Sequence, residues 1–264
     1  MKVQADIPYP DNEKSKLALL ATLFQEWHLH FVNTASTLTK HVADDMVCDG
    51  FYPYYFSQRK KILFIGREAR GISGCNYLDI LFDAYRHTKR IGRQHLNRSR
   101  FHYRMLRIAY GIMNGAVKWK DTPRASQIGD TFGTADGLSF AFMNISNLSN
   151  DSDTWQVDRP VWNAAHLLST QRRNFIQEEI AILEPDIIIT MNLGRNKLDS
   201  LGSRTPINYS TQATSYWLDT GTRRSLLIDT WHFSTWTKND IADYYTPICD
   251  AIRGSEGSDN CRGR

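Results

Sequence analysis

The chain has 264 residues, 41% of them hydrophobic and 23% charged, with a formal net charge of +4. That balance excludes a disordered or fibrous chain and supplies enough apolar surface for one sizeable core. No apolar run approaches the ~18 residues of a membrane-spanning helix, and the opening MKVQADIPYPDNEKSK holds no apolar leader core, so a cytoplasmic protein with no membrane partner is expected. Cys48, Cys75, Cys249 and Cys261 are widely spaced, with no C-x-x-C pair. This argues against a zinc or iron–sulfur site and fits reduced thiols.

Leu17, Leu20, Phe24, Trp27 and Phe31 recur at three- and four-residue spacing and predict a helix over residues 14–47. His28 and His30 are two apart on it, so they do not share a face as a metal pair would. The turn-rich stretch GFYPYYFSQ follows, and then KILFIG (residues 61–66), a short apolar run that reads as a buried strand. Residues 76–116 predict two helices broken near Gly92. GLSFAFMN (residues 137–144) reads as a second strand, and residues 163–183 as one helix stopped by Pro185. DIIITM (residues 186–191) and SLLID (residues 225–229) are the third and fourth strands, and residues 238–253 a closing helix. Strands alternating with helices imply an α/β fold, a three-layer α/β/α sandwich around a mainly parallel four-stranded sheet. Residues 1–254 are expected to form one domain, with residues 1–56 as an N-terminal helical extension. The polar residues 255–264 are expected to be a disordered tail.

Charge is unevenly spread. Residues 84–120 hold ten Lys or Arg and no Asp or Glu, whereas the remainder carries 22 basic and 28 acidic residues. Such a segment can be a solvated helix face, but the absence of acids favours a polyanionic partner. Arg98, Arg100, Arg104 and Arg107 lie within it, interleaved with Phe101 and Tyr103.

In a parallel sheet, sites form beyond the carboxyl ends of the strands. The four strands are followed by Gly66-Arg67-Glu68-Ala69-Arg70-Gly71, Asn144-Ile145-Ser146-Asn147-Leu148-Ser149, Asn192-Leu193-Gly194 and Trp231-His232-Phe233-Ser234. A carboxylate, an amide and an imidazole are thereby expected on one rim. This order of G-R-E-A-R-G, M-N-I-S-N-L-S and W-H-F-S, with L-E-P-D-I-I-I-T-M-N before the third segment, resembles the uracil-DNA glycosylase superfamily over roughly residues 60–250. That family has a glycine-led loop of the type G-Q-D-P-Y or G-E-A-P-G, an asparagine closing the next strand, and a late H-P-S loop. Arg67 stands where the family has Gln, Glu or Met, and Ala69 and Phe233 stand at its two motif prolines.

The resemblance implies a DNA partner, base flipping and hydrolysis of an N-glycosidic bond. It implies Glu68 as the water-activating group, His232 as a hydrogen-bond donor to O2 of the departing base, and Asn144 as the reader of a pyrimidine edge. Arg67 and Arg70 become candidate base contacts in a reshaped pocket. Phe132, Tyr77 and Phe142 are candidates for stacking on the flipped base, with Phe132 placed first. Arg98, Arg100, Arg104 and Ser234 are candidates for gripping phosphates. A bifunctional enzyme would need an amine nucleophile, for which Lys197 is the nearest candidate. Monofunctional action by a monomer, without metal or cofactor, is therefore expected. The implied substrate is uracil or a modified cytosine, such as the glucosylated hydroxymethylcytosine of phage DNA. The alternatives are a non-catalytic nucleic-acid-binding module on the same fold and a hydrolase of free nucleosides.

Overall fold

The computed structural model describes residues 1–34, 43–152, 156–208, 210–221 and 223–260. Nine strands occur among them: β1 (Gly50–Phe51), β2 (Ile62–Arg70), β3 (Arg90–Ile91), β4 (Gln94–His95), β5 (Ala141–Asn150), β6 (Ile187–Met191), β7 (Ser203–Asn208), β8 (Ala213–Asp219) and β9 (Arg224–Thr230). The helices are α1 (Lys14–Thr34), α2 (Tyr77–Asp83), α3 (Arg100–Met113), α4 (Ala125–Asp130), α5 (Arg159–Thr170), α6 (Phe175–Leu183), α7 (Arg195–Asp199) and α8 (Thr246–Asn260).

The four expected strands become β2, β5, β6 and β9. They lie side by side in the order β5-β2-β6-β9 and are mutually parallel. Their residues are apolar on both faces, as burial between two helical layers requires. The sheet nevertheless has seven strands, not four. β1 joins β5 antiparallel, and the β7–β8 hairpin adds two antiparallel strands beyond β9.

Alternation along the strands divides the core. Ile62, Phe64, Phe140, Phe142, Ile189 and Ile228 face the layer of α2, α3, α4 and α8. Leu63, Ile65, Met143, Ile145, Ile188 and Leu227 face α1, α5, α6 and α7. The expected N-terminal extension is part of this second layer, because Trp27 of α1 stacks between Phe24 and Phe175 at 5.8 and 5.2 Å. Buried Glu13 fastens the start of α1, accepting the backbone N–H groups of Tyr54 and Phe56 at 2.8 Å each. Of the stretch expected to continue this helix, residues 35–42 lie outside the described residues and residues 43–45 form a single tight turn.

Three further expectations need correction. The helix expected over residues 163–183 is two helices. Asn174 caps α6 by accepting the N–H of Gln177 at 3.1 Å, and this local bond competes with helix continuation. Around Gly92 (φ +54°) the break between α2 and α3 is itself ordered as the β3–β4 hairpin. The tail expected to be disordered is helical up to Asn260, because buried Ser255 donates to Ile252 O at 2.7 Å and Glu256 pairs with Lys60 at 2.6 Å. Residues 261–264 lie outside the described residues.

Candidate active site

β2 outruns β6. Its ladder with β6 ends at Ile65↔Thr190, whereas its ladder with β5 continues through Gly66↔Asn144 and Glu68↔Ser146 to Arg70↔Asn150. The segments expected as loops after the first two strands are therefore strand. Their polar residues are buried because β5 is also covered by residues 46–48, with Val47 N–H donating to Asn147 O at 2.7 Å. Alternation puts Gly66, Glu68, Phe142 and Asn144 on one face, continuing the row that begins at Phe64. Gly66 keeps that face open. A Cβ there would stand 2.7 Å from Asn144 Oδ1 and 3.0 Å from Phe142 Cζ.

Asn144 is only 3% exposed. Its backbone N–H donates to Asp49 Oδ2 at 2.7 Å, and its side-chain Nδ2 has no partner among the described residues. Such an unpaired buried donor costs ~1–3 kcal/mol, so a ligand acceptor is the natural complement. Beneath it, Asp49 and Glu179 are both buried. Burial raises both carboxyl groups, and the proximity of Asp49 adds to the rise at Glu179. Asp49 Oδ2 is the oxygen that accepts the Asn144 N–H.

Glu68 is half-buried, with Oε1 accepting from Asn150 Nδ2 at 2.8 Å. Burial raises its pKa, opposed by the Asn150 bond and by Arg70 and Arg67. Asn150 is in turn fixed, because its Nδ2 also donates to Gln156 O at 2.9 Å and its Oδ1 accepts from Ser152 Oγ at 2.6 Å.

His232 follows β9. Its Nδ1 accepts the N–H of Ser234 at 3.3 Å and lies 2.7 Å from Ser234 Oγ. A ring nitrogen that accepts from an amide carries no proton, so the neutral ring bears its hydrogen on Nε2. Burial, with Arg67 nearby, depresses the pKa to about 4, so the ring stays neutral at physiological pH. Phe101 connects this ring to the other half of the site, with centroids 5.5 Å from His232 and 6.1 Å from Phe142. Tyr77 stacks on Phe142 at 4.7 Å.

Arg67 donates from Nε and Nη2 to Asn192 O at 3.2 and 2.9 Å. Asn192 has φ +56°. Asp229 steadies that turn, accepting from Thr190 Oγ1 at 2.6 Å and from the amides of Asn192 and Leu193. Arg70 donates to Ser152 O at 2.9 Å. Both arginines therefore brace the rim, one on each side of Glu68. Lys197 stands in the second layer, with its amine 4.8 Å from the Trp162 ring.

Two expected site residues are misplaced. Phe132 is fully buried, ringed by Tyr52, Tyr85 and Phe140, and cannot stack on a base. Phe142 is equally buried, which leaves half-buried Tyr77 and Phe101 as the aromatic residues beside Asn144 and His232. Arg104 is 1% exposed and cannot reach DNA. It donates to the carbonyls of Phe233, Thr235 and Lys238 at 2.5–3.0 Å, pairs with Asp240 at 2.8 Å, and lies 4.3 Å over the Tyr244 ring. It is the clamp of the His232 loop. Ser234 is exposed beside His232, whereas Arg98 and Arg100 are exposed on the approach to α3.

The sequence alone does not point to Asn150 or Trp236, and it gives Phe101 only as an aromatic of the basic segment. A polar run, S-N-L-S-N, that continues an apolar strand was the available sign of Asn150. Trp236, 75% exposed on the loop held by Arg104, carries no local signal that separates it from the chain's core aromatics. No helix among the described residues is long and apolar enough to cross a membrane. Compared with known proteins, the chain matches no family model and no curated protein.

Proposed function

We propose that the chain is a monofunctional DNA glycosylase resembling the uracil-DNA glycosylase superfamily, which rotates a pyrimidine out of DNA and hydrolyses its N-glycosidic bond. The observation that carries this reading is that strand register, with Phe101 touching both Phe142 and His232, puts three unlike groups toward one end of one sheet face. They are a carboxyl (Glu68), a buried amide whose donor has no partner among the described residues (Asn144), and a neutral imidazole with its hydrogen on Nε2 (His232). Half-buried Tyr77 and Phe101 supply flat apolar surface beside them, backed by buried Phe142.

In this reading Asn144 Oδ1 and Nδ2 pair with the donor–acceptor edge of a flipped pyrimidine. As the C1′–N1 bond breaks, its electron pair leaves on the base. His232 Nε2–H donates to O2, where the charge accumulates. The Glu68 carboxylate stabilises the cationic sugar and accepts a proton from the water whose oxygen bonds to C1′. The products are an abasic site and the free base. An amide reads uracil by O4 and N3–H, and cytosine by N4 and N3, so both uracil and a modified cytosine fit Asn144.

The test is incubation with uracil-containing, mismatched and phage-modified duplexes, followed by alkaline cleavage at abasic sites. Glu68→Gln should slow base release by about two to four orders of magnitude while leaving DNA affinity nearly unchanged. In the native enzyme, activity should fall as pH drops through the raised Glu68 pKa, and the variant should lack that acid limb. Full activity in Glu68→Gln, or no abasic product from any duplex, would sink the proposal.

A further inference from the structure

A cleft of ≈ 670 Å³ opens between the Arg98 segment, α3, the start of α4 and Asp240. We propose that it is a phosphate-binding site that grips the DNA strand flanking the flipped nucleotide. The assignment to DNA rests on the base-excision reading above, whereas the phosphate chemistry stands on the cleft alone.

Three arginines from separate segments converge there: Arg98 before α3, Arg107 on α3 and Arg124 at the start of α4. Arg98 and Arg124 are exposed and have no acid partner among the described residues. Arg107 is held in place, donating from Nε to Thr122 Oγ1 at 2.8 Å and from Nη2 to Trp119 O at 2.6 Å, with its guanidinium 3.9 Å over the Trp119 ring. Those partners are neutral, so its charge remains for the cleft. His95 adds a donor. Its Nδ1 accepts the N–H of Asn97 at 3.2 Å, which leaves the ring hydrogen on Nε2.

The acid in the lining, Asp240, is already committed. It pairs with Arg104 at 2.8 Å and accepts from Tyr103 OH at 3.0 Å. The cleft thus presents three positive charges and an N–H donor with no free anion, the complement of a phosphate. Its floor is rigid, because Asn97 and Ser126 exchange two hydrogen bonds of 2.9 and 3.0 Å that tie the Arg98 segment to α4. Its position fits a flanking strand. One side chain, Arg104, touches both Asp240 in the cleft wall and the Phe233 carbonyl of the His232 loop.

The test is binding, measured on the full chain without any chemical step. Fluorescence anisotropy of a labelled duplex is titrated across salt concentrations for the native chain, R98E/R124E, the milder R98Q/R124Q, and R172E as an exposed control in another layer. Adenosine monophosphate is titrated in parallel as a free phosphate ester. The double reversal should weaken duplex binding at least tenfold and lower the log–log salt slope by roughly 0.9 per lost contact. R98Q/R124Q should give a smaller loss in the same direction, and R172E none. No saturable response to the monophosphate identifies the phosphate as that of a polymer. A saturable response lost in R98E/R124E keeps the phosphate site and reassigns its ligand to a free nucleotide. Unchanged duplex and monophosphate binding in both double variants, with unfolding transitions matching the native chain, overturns the proposal. Because base release is never read, a failure of the glycosylase reading leaves this result intact.

Discussion

Arg98 and Arg104 lie six residues apart in one acid-free run, and in the sequence their charges look alike. In the fold they differ completely. Arg98 is exposed beside an open cleft with no acid partner among the described residues, whereas Arg104 is buried and spends its guanidinium on one acid and three carbonyls. A positive run is thus not one electrostatic object. Arg98 is available to a polyanion, and Arg104 is a fastener for the loop that carries His232.

The sharpest way to break this contrast is Arg104→Ala. It strands Asp240 and three carbonyls, and unfolding in urea should show a loss of about 3–5 kcal/mol, toward the low end because Asp240 retains some water. Arg104→Lys should recover only part of it, since an ammonium cannot reproduce the planar fork. A loss below ~0.5 kcal/mol would mean that the loop is held by other means.

His102 is locked in place as Arg104 is. It is fully buried against Tyr85 OH at 2.8 Å, and burial depresses its pKa to about 3. The unfolded chain therefore binds a proton that the folded chain refuses. Stability from this group is complete above the unfolded pKa of ~6.5 and is lost as pH falls toward 3. Comparing the native chain with His102→Gln across that window should show a difference in slope of about 1.4 kcal/mol per pH unit. Equal slopes would contradict a neutral buried ring.

Trp236 tests what the clamped loop presents. Trp236→Ala should leave the unfolding midpoint unchanged, because the indole is 75% exposed. It should weaken DNA binding by about tenfold to a hundredfold, the ~1–3 kcal/mol of a base–aromatic contact. Unaltered affinity would remove the indole from the interface. The smallest expected change is in the stability of Arg98→Glu and Arg100→Glu, each within ~0.5 kcal/mol of the native chain. A large destabilisation by either would erase the distinction between the exposed and the buried arginines of the run.

Much of the parallel core was legible because its strands are short apolar runs that need no knowledge of their neighbours. β7 and β8 were not, since S-R-T-P-I-N and A-T-S-Y-W-L-D cover one face only and mix polar with apolar residues. The rim loops were misread for a related reason. Whether a polar segment after a strand continues it depends on the neighbouring strand also continuing, as β5 does beside β2. Arg104 could have been caught. It stands four residues before Ile108, inside the apolar stripe of Met105, Ile108, Ala109 and Ile112, where a charge must find buried partners. Phe132 shows the converse limit, for nothing in an isolated aromatic residue distinguishes a pocket wall from a core.

The edges of the sheet set how the molecule meets other copies of itself. One edge is β1, two residues long, which offers almost no backbone to extend. The other is β7, where Pro206 removes a donor, the register slips between Pro206 and Asn208, and Arg204 sits in an ion pair with Asp199. Short strands, proline, irregularity and charge are the devices that keep an open sheet from recruiting foreign strands. Propagation into fibrils through either end is accordingly blocked at the backbone.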